Sequence, residues 1–238
     1  MKVIISTLHN GPVTPDYAYS LAALMLENPY DSIKGIHYTK TARNHHGRNT
    51  AIKRFLETDA DVLMWIDDDM AFDPGAYKIL YEEMAGEGHF QCGPDVYMVA
   101  GLAFIYDADQ GTQRPTCLDF NEEANEYQSR AYYPKNGRFF CDSTGAAFVM
   151  IHRDIFEATG PLWHLDTECH PETMKPMGHD VAFFHNARKI TGERVWYCAD
   201  AKTGHVKTWQ ASEDTYEAFL VSQGLPTLDG MERAATLL

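Results

Sequence analysis

The stretch VLMWIDDDMAFDP, residues 62–74, decides how the rest of the chain is read. Val62-Leu63-Met64-Trp65-Ile66 is a continuous apolar run of strand length, the pattern of a strand buried on both faces. It ends in Asp67, Asp68 and Asp69. Adjacent carboxylates at the end of a buried strand repel one another and lose solvation, a cost that a shared divalent cation offsets. Residues i and i+2 of an extended segment point the same way, so Asp67 and Asp69 are expected to converge on one ion while Asp68 faces elsewhere. Helix capping is the competing use of such acids, but Asp73, followed by Pro74, already fills that role. Hard oxygen ligands suit Mn²⁺ or Mg²⁺, and phosphate commonly completes their shell, so a diphosphate ligand is implied.

On the N-terminal side, residues 2–8 and 33–39 read as strands and 15–27 as a helix. A second helix is expected over 49–57, from the spacing of Ala51, Ile52, Phe55 and Leu56. Beyond the triplet, a helix runs from Pro74 to about residue 86 and a fourth strand covers 96–105. This alternation predicts an α/β fold with a Rossmann-like, mostly parallel central sheet flanked by helices. Ligands of such sheets gather at the carboxyl ends of strands, where Thr7, His9 and Asn10 fall as well as the acidic triplet.

Periodicity fades over 107–138, which suggests an insertion or an irregular hairpin. Strand character returns over 141–152, and a short helix follows at 153–159. Residues 162–177, with two prolines and little pattern, read as a mobile loop. A helix over 180–190 stopped by Gly192, a strand at 195–198 and a helix at 215–221 complete the expected elements. No repeat or linker marks a boundary, so a single domain is expected.

The 238 residues are 45% hydrophobic, enough for a sizeable core, and carry a net charge of −14. That charge works against nonspecific binding to nucleic acid or to an anionic membrane and favours cationic partners, metal ions included. Arg43, His45, His46, Arg48, Lys53 and Arg54 form a local basic cluster, for which a solvated helix face and anion binding are both open. Five widely spaced cysteines without a CxxC pair indicate neither a disulfide framework nor a zinc knuckle, so a cytoplasmic location is expected. The apolar part of the start MKVIISTLHNG is too short for a signal peptide, and no stretch approaches a membrane span. Nothing implies an obligate protein partner.

Arg48-Asn49-Thr50-Ala51, then Asp61 and VLMWIDDDMAFDP, then STGAAFVMIHRDIFEATG (143–160) and GHDVAFFHNARKITGERVWYCADAKTGHVK (178–207), in this order, resemble the pattern of family-2-like GT-A-fold glycosyltransferases with an Asp-x-Asp motif. The similarity spans about residues 1–210. It implies a nucleotide-sugar-binding half over 1–105, an acceptor and catalytic half over 106–210, and a C-terminal tail over 211–238.

The resemblance further implies that Asp67 and Asp69 are the Asp-x-Asp pair, with Asp69 on the metal and His205 a further ligand. Three consecutive aspartates leave the register open by one residue, so Asp68 is also a candidate for the nucleotide. Thr7, His9 and Asn10 match the strand end that holds the base, although a turn explains Asn10-Gly11 equally well. Arg48 is expected at the nucleotide or its diphosphate, with Asn49, also counted on the donor side, positioning the loop; a helix-surface position is the alternative for Arg48, and Lys207 is expected beside the leaving diphosphate. Asp180 aligns with the catalytic carboxylate that accepts a proton from the acceptor hydroxyl; stabilisation of a helix N-terminus is a compatible use. His179 departs from the acidic residue more usual before it. With Gly145, Trp163 and His164 it falls on the acceptor side, and Trp163 reads equally well as core.

The implied activity is metal-dependent transfer of a hexosyl or pentosyl group from a nucleoside-diphosphate sugar, commonly uridine-linked, to a hydroxyl. The acceptor class is open among saccharides, small molecules, proteins and hydroxymethylated DNA bases. An inverting displacement fits Asp180, whereas retaining enzymes share the fold. Two rivals stand beside it. A nucleotidyltransferase acting on sugar phosphates would carry a glycine-rich basic loop after the first strand, which STLHNGPVTPD lacks. A noncatalytic sugar- or metal-binding module would use the triplet only to order a loop.

Overall fold

The computed structural model describes residues 1–41, 43–86, 96–107, 112–161, 163–164, 168–169, 176–206 and 210–230. In chain order the first elements are β1 (Val3–His9), α1 (Pro15–Glu27), β2 (Ile33–Lys40), α2 (Asn44–Leu56), β3 (Val62–Ile66), β4 (Met70–Phe72), α3 (Pro74–Met84) and β5 (Met98–Leu102). Four short strands follow, β6 (Phe104–Asp107), β7 (Thr112–Pro115), β8 (Leu118–Asn121) and β9 (Glu126–Ser129). The rest comprises β10 (Arg138–Cys141), β11 (Phe148–His152), α4 (Arg153–Thr159), β12 (Glu168–Cys169), β13 (Pro176–Met177), α5 (His179–Thr191), β14 (Val195–Val206), β15 (Gln210–Ala211) and α6 (Glu213–Ser222).

The central sheet has the order β10-β14-β5-β11-β3-β1-β2, with β4 and β15 joined to β14. Strands β2, β1, β3, β5 and β14 are parallel to one another, and β11 and β10 run against them. β3 shows why its apolar run is unbroken. Its side chains alternate, with Leu63 and Trp65 in one core layer and Val62, Met64 and Ile66 in the other, and both layers are closed. Helices α2, α4, α5 and α6 cover the first face through Phe55, Phe156, Phe183 and Tyr216. α1 and α3 cover the second through Tyr17, Leu24, Tyr77 and Leu80. The chain is thus a single α/β fold with a mostly parallel sheet flanked by helices. Among the described residues no helix is long and apolar enough to cross a membrane, and Cys117, Cys141 and Cys198 are buried thiols.

Several elements differ from the sequence expectation. α2 begins at Asn44 rather than 49, because His45, His46 and Gly47 show no apolar periodicity. Gly47 fits where it is because a Cβ would stand 2.6 Å from Thr41 Cγ2 and 2.9 Å from Leu8 Cδ2. The run expected as one strand over 96–105 divides, with β5 in the central sheet and β6 leaving it to pair with β7. The patternless 107–138 segment contains β7 and the hairpin of β8 and β9. Strand character over 141–152 is realised as the end of β10 and all of β11, with residues 142–147 between them. Within the expected loop over 162–177, Glu168 pairs with Met177 and Cys169 with Pro176. The expected strand at 195–198 continues to Val206, past an irregularity between Cys198 and Lys202. α5 stops at Gly192, whose φ of 81° is left-handed, as expected of a glycine stop.

Candidate functional site

Asp67, Asp68 and Asp69 link β3 to β4 in a turn in which the Met70 N–H donates to Asp67 O at 3.2 Å. β4 lies antiparallel to β14 with Met70 opposite His205, and the Val206 N–H donates to Asp69 O at 2.7 Å. The long β14 therefore carries His205 to the acidic turn. Its Nε2 lies 3.0 Å from Asp69 Oδ2, and its Nδ1 lies 3.0 Å from Phe104 O. A carbonyl only accepts, so Nδ1 carries the hydrogen, and in the neutral ring Nε2 turns a lone pair toward the carboxylate. Two acceptors at that separation require a proton or a cation between them. A ring whose other nitrogen donates to a backbone carbonyl is also the usual arrangement of a metal-ligating histidine.

A cavity of about 320 Å³ opens here, lined by His9 and Asn10 at the end of β1, Arg48 on α2, the three aspartates and His205. Asp68 lines it together with Asp67 and Asp69, against the expected alternation. The segment is a turn rather than an extended strand, so the two-residue period does not apply. Thr7 lies beneath the cavity in the core, its Oγ1 2.5 Å from Tyr17 OH. Lys207 falls outside the described residues.

Arg48 is only 2% exposed, which overturns the helix-surface alternative. Its guanidinium stacks 4.8 Å above the Trp65 ring, places Nη2 3.1 Å from Asp67 Oδ1, and places Nε 3.0 Å from Asp180 Oδ1. Burial raises the Asp67 carboxyl, and the pull of Arg48 is opposed by the nearby charges of Asp180 and Asp69. Burial also works against ionisation of Asp180, but Arg48 foremost, with His179 beside it, outweighs burial and holds that carboxyl well below the usual range. One arginine thus joins the carboxylate of the acidic turn to the carboxylate at the start of α5.

Asp180 is enclosed further by His179 Nδ1 at 2.8 Å and His164 Nδ1 at 3.6 Å from Oδ1, and by the Ala146 N–H, which donates to Oδ2 at 3.2 Å. Beyond it lies a second cavity, of about 180 Å³, whose walls include Gly145, His179 and Asp180 together with Ile105, Leu118 and Val181. It shares Ile105, Leu118, Gly178 and Val181 with a groove that reaches Glu126 and Tyr127. Gly145, His179 and Asp180 are therefore brought together as the sequence predicts. Trp163 is not with them; it is buried in the core and its Nε1 donates to Phe156 O at 2.9 Å. Asn49 is engaged elsewhere than the nucleotide cavity, since Nδ2 donates to His164 O at 2.7 Å and Oδ1 accepts from the His164 N–H at 3.0 Å.

His164 is the residue whose placement the sequence least reveals. It is wholly buried, stacked at 4.8 Å on Phe183, and neither ring nitrogen has a hydrogen-bond partner among the described residues. Burial, reinforced by Arg48 and His179, pushes its imidazole down to about 3, so it stays neutral. The signal for it was weak, a single histidine after Trp163 in a segment without periodicity. A wider concavity, about 650 Å³, is an open depression beside α1 and α6 lined by Asp16, Asp73, Glu213 and Asp214, and it contains none of the expected site residues.

No protein-family model matches the chain, and no curated protein matches it in sequence. Solved structures do. A197 from STIV superposes with a TM-score of 0.56 at 17% identity, over 87% of this chain and 86% of that one. GalNAc-T7, in a crystal structure with UDP, GalNAc and Mn²⁺, gives a TM-score of 0.56 at 10% identity, over 87% of this chain and 44% of that one. The chain therefore spans less than half the length of GalNAc-T7. At these identities the likeness concerns architecture alone, and with the strand order described above it gives the chain the GT-A fold.

Proposed function

We propose that the protein is a glycosyltransferase that moves a sugar from a nucleoside-diphosphate donor to a hydroxyl acceptor. The observation that carries this is the meeting of His205 Nε2 and Asp69 Oδ2 at 3.0 Å on the rim of a cavity walled by three aspartates, beside a strand end suited to a nucleotide. Asp69 and His205, with Asp67 beside them, would hold Mn²⁺ or Mg²⁺, which when bound supplies positive charge for the donor's phosphate oxygens. The presence of UDP and Mn²⁺ in the GalNAc-T7 crystal structure supports a uridine-linked donor. His9 and Asn10 would contact the nucleotide, and Arg48 would fix Asp67 against the phosphates. Asp180, which lines the second cavity and is tied to the first through Arg48, would anchor the acid–base chemistry, and Gly145 and His179 would face the acceptor.

Thermal unfolding tests the donor site without an acceptor. Mn²⁺ is expected to raise the melting temperature, with a further rise on adding UDP only when Mn²⁺ is present, since a ligand of the folded state stabilises by mass action. Asp69→Ala and His205→Ala should each abolish the Mn²⁺ shift. An unchanged shift in Asp69→Ala removes the metal assignment. Release of UDP from UDP-sugars then separates an enzyme from a noncatalytic binding module.

A further inference from the structure

Asp180 is a poor candidate for the proton acceptor itself. Three nitrogens crowd its Oδ1, from Arg48 at 3.0 Å, His179 at 2.8 Å and His164 at 3.6 Å, and Oδ2 accepts the Ala146 N–H. A carboxylate so held in its ionised form resists protonation, whereas general-base efficiency rises as the base's proton affinity approaches the working range. The imidazole beside it has the geometry the task needs. His179 Nδ1 is buried against Asp180, whereas the side chain keeps 24% exposure and lines the cavity shared with Gly145, which leaves Nε2 as the ring nitrogen open to a ligand there.

We propose that Nε2 of His179 accepts the proton of the acceptor hydroxyl, with Asp180 holding Nδ1 and so fixing the ring's tautomer and orientation. The proposal rests on the glycosyl-transfer reading and assigns its base. The acceptor oxygen bonds to the anomeric carbon as the bond from that carbon to the diphosphate oxygen breaks. The bonding pair leaves with the diphosphate, and the hydroxyl proton passes to Nε2. The imidazolium so formed lies against an anion already in place, the arrangement by which a buried aspartate supports a catalytic histidine. The 2.8 Å contact is not ideally angled for a hydrogen bond, as is common at sites that tighten when substrate binds.

Among the described residues, the groups facing His179 are Asp180 on its own helix, His164 on the segment pinned by Asn49, and Arg48 from α2 behind the carboxylate. The cavity walls from Ile105, Thr116, Leu118 and Gly145 add no charge. His164 cannot substitute, being sealed from the cavity. His164, His179 and Asp180 are also within ligand range of one another, but the Arg48 guanidinium already supplies the positive charge at the shared oxygen, which disfavours a metal ion there.

Two measurements test the dyad. Long-range ¹H–¹⁵N correlation spectra of the full chain in Mg²⁺, with the His179 signal assigned by its loss in His179→Gln, should show the Nδ1-protonated tautomer, which Asp180→Asn should redistribute. An Nε2-protonated ring, or a tautomer indifferent to Asp180→Asn, overturns the proposal whether or not the protein turns over any donor. Slow UDP release from UDP-glucose and UDP-GalNAc should fall about 100-fold or more in His179→Gln with donor affinity retained, lose its rise with pH, and recover in part when free imidazole is added to His179→Ala. Wild-type rate and pH profile in His179→Gln would overturn it. Absence of turnover by the unsubstituted protein would instead sink the glycosyl-transfer reading, and this assignment with it.

Discussion

The side chain of Asn49 clamps the backbone of His164 from both sides, donating to its carbonyl at 2.7 Å and accepting from its N–H at 3.0 Å across 115 residues of chain. Neighbouring positions on α2 thus divide the work, Arg48 fixing carboxylates and Asn49 fixing the segment that brings His164 to them. Asn49→Ala leaves both backbone groups without their partner and is expected to cost about 1–3 kcal/mol in urea denaturation. Asn49→Asp keeps the acceptor but sets a carboxylate oxygen against the His164 carbonyl, so it should recover none of the alanine loss.

Arg48→Ala removes the cation shared by two partly buried carboxylates and its stacking on Trp65. A loss of about 3–5 kcal/mol is expected, because breaking a buried pair leaves uncompensated charge. Arg48→Lys should recover little, since an ammonium on a flexible stem cannot reach both carboxylates while lying flat on an indole. Chemical denaturation of the two variants, in the absence of metal, checks both statements.

His164 gives the fold a defined acid sensitivity. Its imidazole titrates at about 3 in the folded chain against 6.5 as the ordinary value. The unfolded state therefore binds the proton first, so the stability held in the neutral ring is complete above pH 6.5 and drains away as the pH falls toward 3. The slope from this residue approaches roughly 1.4 kcal/mol per pH unit within that window. Urea denaturation at pH 7.5 and 4.5 should show a smaller acid-induced loss for His164→Gln than for the unsubstituted protein.

At the opposite edge of the sheet, buried Glu83 receives the Arg138 Nε–H at 3.0 Å through Oε1 and the Trp196 Nε1–H at 3.0 Å through Oε2. Arg138 also grips Asp200 with both terminal nitrogens. Glu83→Ala is expected to cost about 3 kcal/mol, with Asp200 still offsetting part of the arginine's charge. Glu83→Gln should lose less, because it retains an acceptor for the indole. Melting temperatures of the two variants order the effects.

What the sequence made legible follows from where the information is local. β1 and β3 are read correctly because both of their faces are buried, so composition alone marks them, and Asp73-Pro74 marks the start of α3 because the cap acts within one turn. The length of β14 was not legible. Residues 203–206 owe their strand to β4 and β15, partners supplied by other elements, and not to their own propensity. At the site, Asp67, Asp69, Arg48 and His205 converge because their types already require charged partners. Trp163 could not be decided, since an aromatic serves a core and a sugar equally well, and the partners of Thr7 and Asn49, Tyr17 and the His164 backbone, were not legible because tertiary packing sets them.

β14 also decides how the molecule loosens. Residues Val195–Cys198 are laddered to β10, and Trp196–Cys198 to β5 as well, whereas beyond Lys202 the ladder partners among the described strands are the short β4 and β15. Fraying that starts at Val206 can therefore halt at the irregularity between Cys198 and Lys202. Amide hydrogens of Ala71 and His205 should exchange with solvent through that partial detachment, and those of Tyr197 only when the whole chain unfolds. His205 belongs to the detachable half, so whatever ties it to Asp69 acts as a clasp on the end of the strand.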